Sequence, residues 1–258
     1  MTLTHKNIPV YYTDEGQGTT MVLLHGFLEN SSMWNDLKTE LTPNYRLVCI
    51  DLLGHGQTGC LGYVHTMDEM AETVKAVLDE LKIKRCTLFG HSMGGYVALA
   101  FADLFPKYLE GLSLVNSTPA ADSEERKTNR DRAIEAVKQN HKTFVRISVA
   151  NLFAPYNKDN FAEAIENVIQ EALQTPVQGI VAALEGMKSR PNRTHVLKSL
   201  PVKKQLVIGQ HDPVLNYDEV MSQVQDIDMI IDEFPDGHMS HIENKEEFTY
   251  KIKRFIEK

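Results

Sequence analysis

The stretch Cys86-Thr-Leu-Phe-Gly90-His91-Ser92-Met93-Gly94-Gly95-Tyr-Val-Ala-Leu-Ala-Phe101 changes character twice. The apolar run up to Phe89 suits a buried strand, and the run after Gly95 suits an apolar helix. Between them stands G-x-S-x-G. A strand that turns directly into a helix strains the backbone at the corner residue and brings the chain two residues to either side close to it. Side chains at Gly90 or Gly94 would collide with that turn. The turn lifts the Ser92 hydroxyl above the sheet and onto a helix N-terminus, where free N–H groups favour developing negative charge. The motif alone recurs by chance as a flexible turn; the strand before it and the helix after it point to a nucleophile.

Outward from Ser92 the same alternation repeats. Strand-like runs lie at Ile8–Tyr12, Thr20–Leu24, Arg46–Ile50, Cys86–Gly90, Leu112–Asn116, Gln205–Gly209 and Met229–Phe234. Helical periodicity lies at Met67–Leu81, Met93–Phe105, Tyr217–Val224 and Lys245–Ile256. Alternation of this kind builds βαβ units and a mostly parallel, doubly wound α/β sheet with both faces covered. Between Thr118 and Leu200 the alternation stops. Asp122–Asn140, His141–Phe153, Asn160–Leu173 and Thr175–Lys188 all read as helices, broken at Pro155, Pro176 and Pro191. The division expected is a core of 1–117 and 201–258 with a helical cap, 118–200, inserted in it.

The 258 residues carry a net charge of -8, which argues against a nucleic-acid-binding face. The charge is uneven: residues 118–200 hold 12 Lys+Arg against 10 Asp+Glu, the remainder 15 against 25. No apolar run approaches the length that spans a bilayer. Met1–Pro9 holds no signal-like apolar run, and Cys49, Cys60 and Cys86 fit neither a disulfide framework nor a metal pattern. A cytoplasmic protein without membrane or nucleic-acid partners is expected; oligomeric state is not readable.

The motif Gly90-His-Ser-Met-Gly-Gly, with His25-Gly26-Phe27 after an earlier strand, resembles the α/β-hydrolase superfamily. The likeness is greatest to its small carboxylesterases, enol-lactone hydrolases and carbon–carbon bond hydrolases. It runs from about Ile8 to Ile256 and is weakest in the helical middle. A serine at the elbow argues against the epoxide hydrolase and haloalkane dehalogenase branches, which carry aspartate there.

Serine needs a base within hydrogen-bond reach. Phe234-Pro-Asp-Gly-His238 is a strand end, a turn signal and a histidine, and Gly237-His238 resembles the family's C-terminal Gly-His. His241 is the alternative. His91 flanks the serine and should point away from it; His5, His65, His141 and His195 read as surface residues. The family's chain order is Ser, acid, His. Leu206-Val-Ile-Gly-Gln-His-Asp212-Pro213 resembles its strand-to-acid pattern, with Asp122 as the only fallback. The resemblance also implies an oxyanion hole from the backbone N–H groups of Phe27 and Met93, close approach at Gly26, and a bracing role for His25. Trp34 is expected to pack under that loop.

Asp51-Leu-Leu-Gly54-His-Gly56-Gln-Thr-Gly59 contains G-x-G-x-x-G after a strand. No helix opens at its end, so it reads as a structural loop and not a dinucleotide site. Among the aromatics of the middle segment (Phe144, Phe153, Tyr156, Phe161) and Met187, a minority should line an acyl pocket.

These readings describe a serine hydrolase of small or medium acyl esters working through Ser92, His238 and Asp212. It would need no metal or organic cofactor, and its partner would be a small acyl substrate. The same three residues would also serve carbon–carbon, lactone or thioester hydrolysis, an elimination-type synthase, or a receptor that binds without turnover.

Overall fold

The computed structural model describes residues 1–257; Lys258 lies outside it. The strands are β1 Thr2–His5, β2 Ile8–Glu15, β3 Thr20–Leu24, β4 Arg46–Ile50, β5 Cys86–His91, β6 Leu109–Val115, β7 Lys203–Gly209 and β8 Ile230–Phe234. They form one sheet in the order β1-β2-β4-β3-β5-β6-β7-β8. From β4 through β8 every neighbouring pair is parallel, while β2 runs antiparallel to β4 and β1 antiparallel to β2.

Alternate residues of the central strands feed two cores. Val22, Leu24, Val48, Leu88 and Leu206 join α2 (Met67–Glu80) and α3 (Met93–Leu104) on one face. Met21, Leu23, Leu47, Phe89 and Val207 join α1 (Asn35–Leu41) and α11 (Lys245–Glu257) on the other. Strands covered on both faces must be apolar throughout, which is why they read as continuous apolar runs. Helix α2 starts where Thr66 and Glu69 cap each other's backbone N–H groups.

Between β6 and β7 the chain forms α4 Glu124–Gln139, α5 His141–Ala150, α6 Ala162–Ala172, α7 Val177–Ser189 and α8 Thr194–Ser199. Pro155, Pro176 and Pro191 all fall between these helices, as a residue without an N–H should. Helix α9 (Tyr217–Val224) precedes β8, and the single turn α10 (Ser240–Glu243) precedes α11. Among the described residues no helix is long and apolar enough to cross a membrane.

The short elements β1, α1, α8 and α10 escape the sequence pattern because too few residues repeat to show a period. His65, expected at the surface, is wholly buried. Its Nε2 accepts the Leu61 N–H and its backbone N–H donates to Ala182 of α7, so its loop is tucked beneath the helical segment. His195 is exposed, and His5 and His141 are half-buried.

Candidate active site

Ser92 sits between β5 and α3 with φ +50° and ψ -113°, outside the ordinary regions for a residue with a side chain. The surroundings hold it there. Its N–H donates to Val115 O (2.8 Å), and its carbonyl accepts from Ser117 Oγ (2.8 Å) and Gly95 N (3.0 Å). A Cβ on Gly94 would strike the carbonyls of Leu24 and His25, so the turn can approach β3 only through glycine.

Three strand ends converge at this point. His238, after β8, places Nε2 2.8 Å from Ser92 Oγ and Nδ1 2.7 Å from Asp212 Oδ2. The fitting tautomer donates from Nδ1 to the carboxylate and accepts the serine proton at Nε2. Asp212, after β7, accepts at Oδ1 from the N–H groups of Val214 (2.8 Å) and Leu215 (2.9 Å), and at Oδ2 from Asn116 Nδ2 (3.1 Å). Burial alone would raise the Asp212 carboxyl; the neighbouring His238 and the two N–H donors outweigh it and hold the group below the ordinary carboxylate range. Asp122, the fallback acid, goes elsewhere: its oxygens lie 2.7 Å from Arg130 Nε and 2.7 Å from Arg190 Nη1.

His91 does turn from the serine. Nδ1 faces Glu29 Oε2 (2.7 Å) and Nε2 faces the His238 carbonyl (3.0 Å). Both nitrogens face acceptors, which suits the imidazolium. Burial would lower His91, yet Glu29 and the His238 carbonyl outweigh burial and raise it. Burial likewise opposes the Glu29 charge, but His91 brings that carboxyl down to about 2. Glu29 Oε2 also accepts the Gly26 N–H at 2.7 Å. The pair therefore ties the loop after β3 to the backbone of His238. His241, the alternative base, is buried against this pair, and burial pushes it down to about 3.

Glu243 is a second anchor. Oε1 accepts from Gly237 N (3.1 Å) and Met239 N (3.3 Å), and Oε2 from Ala154 N (3.0 Å). With His238 N donating to Leu152 O (2.9 Å), these bonds fasten the histidine loop to the helical segment. Neither Glu29 nor Glu243 carries a sequence motif that announces these partners: Asn30 and Ser31 follow Glu29, and Asn244 and Lys245 follow Glu243, so their neighbours give no sign of burial.

His25 braces its loop as expected, with Nδ1 donating to Gly26 O (2.7 Å) and Nε2 accepting from Leu52 N (2.8 Å). A Cβ on Gly26 would meet Glu29, His91 and Ser92 together. Among the described residues the N–H groups of Phe27 and Met93 make no hydrogen bond, so two donors near Ser92 are free. Trp34 is buried in the second core with its ring 6.0 Å from His241. The Asp51 loop is structural: its carboxylate accepts from Ser31 N (2.7 Å) and Gln57 N (2.8 Å), and no helix begins between it and Met67. A cavity of about 80 Å³ opens over Ser92 and His238, walled by Phe27, Tyr96, Met187 and Arg130. Of the five side chains considered for the pocket, only Met187 reaches it: Phe153 is wholly buried and Tyr156 is exposed.

Residues 19–245 match the alpha/beta hydrolase fold family, and the chain belongs to it. A thermophilic esterase from Thermogutta terrifontis, solved with malate bound, is 30% identical at a TM-score of 0.92, covering 100% of this chain and 97% of its own. The enol-lactonase of Burkholderia xenovorans LB400 superposes at a TM-score of 0.92 with 20% identity and full coverage of both chains, which speaks to the fold. Over 261 residues the chain is 23% identical to 3-oxoadipate enol-lactonase 2 of Acinetobacter baylyi, covering 100% of this chain and 96% of the relative. Other curated relatives match more locally, over 40% of this chain and 30% of their own length. These relatives support hydrolase activity as the general class.

Proposed function

We propose that the protein is a serine hydrolase that cleaves small carboxylic esters through an acyl-enzyme. The observation that carries this reading is the continuous hydrogen-bonded line from Ser92 Oγ through His238 to Asp212, assembled from the ends of three strands. His238 takes the Ser92 proton as the hydroxyl oxygen attacks the ester carbonyl. The developing oxyanion is held by the free N–H groups of Phe27 and Met93. His238 then gives its proton to the leaving alcohol, and afterwards takes one from the water that frees the acid. Asp212 keeps Nδ1 protonated and offsets the imidazolium charge.

In this reading the helices between β6 and β7 act as a cap, and the small cavity that Met187 of the cap and Tyr96 of the core line limits the acyl group to a short one. Lactones form a second substrate class, favoured by the enol-lactonase relative that matches the whole chain. Purified protein should hydrolyse p-nitrophenyl acetate or butyrate over many cycles, and Ser92→Ala should lower kcat by on the order of a millionfold. Stoichiometric binding without turnover would favour a receptor role, and a fully active Ser92→Ala variant would remove the proposed nucleophile.

A further inference from the structure

The cavity over Ser92 contains a cation that acyl transfer does not require. Arg130, on α4, lines it together with Ser92, Tyr96 and His238. Its Nε is 2.7 Å from Asp122 Oδ2, and among the described residues neither Nη nitrogen makes a hydrogen bond. Asp122 is shared. Arg190 Nη1 stands 2.7 Å from its other oxygen and Arg126 Nε stands 3.8 Å from the same oxygen. Three guanidinium groups around one carboxylate leave a net positive cluster in a chain whose net charge is -8. The other charged side chain in the cavity wall, Glu29, is already offset by His91 at 2.7 Å. Asp212 lies behind His238 and is held there by three further N–H donors, so the excess charge along the cavity wall itself is positive, and it is carried by the fork of Arg130, whose Nη nitrogens are free among the described residues. That fork matches a carboxylate in shape and charge, and a narrow cavity with apolar walls screens the pairing less than open water does.

We infer that Arg130 is a substrate-recognition residue and that the preferred substrates are short esters or lactones bearing a carboxylate away from the bond that is cut. The inference rests on the serine-hydrolase reading above. A neutral substrate would cover the Nη donors without bonding them, whereas an anionic one would gain charge-assisted hydrogen bonds.

The test compares matched esters by acid release. Ethyl hemisuccinate carries the charge on the acyl side and is set against ethyl isocaproate, its neutral shape match. Acetoxyacetate carries it on the alcohol side and is set against isobutyl acetate. In one pair or the other, kcat/KM should favour the anion by about tenfold or more, the worth of one charge-assisted hydrogen bond. The preference should shrink as ionic strength rises. Arg130→Gln should abolish it and Arg130→Lys should keep part of it. Equal kcat/KM within both pairs for the unaltered enzyme overturns the inference, even if Arg130→Gln does not fold. If no ester is turned over, the hydrolase reading has failed, and succinate binding then decides the subsite. Succinate should raise the melting temperature of the unaltered protein and of Arg130→Lys more than that of Arg130→Gln; no such shift overturns the inference as well.

Discussion

The rim of the sheet and the helical segment above it are held in place by different means. At the rim, Ser92, Asp212 and His238 each follow a strand, and the backbone beside them bonds to a neighbouring strand end: Ser92 N to Val115 O, His211 N to Asp236 O. A parallel sheet places such ends side by side, so reactive groups at its carboxyl edge are located by register. In the helical segment nothing so regular operates. Helix α4 buries only Ile134 and Val137, and the position of Arg130 follows from one shared carboxylate, Asp122. The rim is built to keep a geometry, while α4 can change a cavity wall without disturbing that geometry; the segment touches the rim's backbone at Leu152 and Ala154.

The sharpest way to break this contrast is to exchange the two acids. Asp212→Asn should cut kcat by on the order of ten-thousandfold, because His238 loses the partner that sets its tautomer. Asp122→Asn should lower it by about tenfold or less, since Asp122 reaches the cavity only at second hand, through Arg130 and through Arg190, which stands over Tyr96. Steady-state kinetics of both variants decide the matter, and the reverse pattern would show that the acid is misassigned.

Phe153→Ala probes the seam between the regions. Phe153 is wholly buried beside Leu152, whose carbonyl takes the His238 N–H. Its loss should cost about 3–5 kcal/mol in a denaturant titration and lower kcat as well. Unchanged stability would mean that the segment does not support the rim.

Glu29→Gln should cost about 2–4 kcal/mol, because it strips a buried charge from its partner. The cost should depend on pH. Glu29 titrates at about 2 in the fold, so its contribution is present above the ordinary glutamate range and is lost as the pH falls toward that value. His91 is raised, so its contribution is complete below the ordinary histidine value of about 6.5 and is lost as the pH rises through its folded value. Melting temperatures of the two proteins should therefore differ most from about pH 4.5 to 6.5 and converge on either side. A difference independent of pH would contradict an ionised pair.

The smallest effect should come from Tyr156→Phe. This exposed hydroxyl donates to Pro235 O at 2.9 Å and lies 2.9 Å from an Asp236 oxygen. Its removal should cost about 0.5–1 kcal/mol by thermal melting and leave kcat unaltered. A large fall in kcat would mean that the outer contacts of the segment also set the rim.

Much of this architecture is legible in residue order because the relevant forces act over a few neighbours. The elbow at Ser92 needs glycines within two residues. The strands need apolar residues on both faces, and Pro155, Pro176 and Pro191 interrupt helices where they stand. Asp212 and His238 were readable for a related reason: each follows a strand-like run within a few residues and fits the expected chain order. The direction of β2 was not readable, since a half-buried strand carries the same alternation whichever way it pairs. Nor was the burial of His65, which depends on a helix more than a hundred residues further along the chain.

The amino-acid sequence by itself determined which strand ends would carry Ser92, Asp212 and His238, because strand, turn and helix formation are governed by local sterics and by the spacing of apolar side chains. Only the tertiary structure decided what surrounds those residues. Glu29 meets His91, Glu243 meets the backbone of Ala154, and Arg130 comes to face the serine only once distant segments pack. Burial and pairing of charge depend on the separation of groups in space, and no local pattern records that distance.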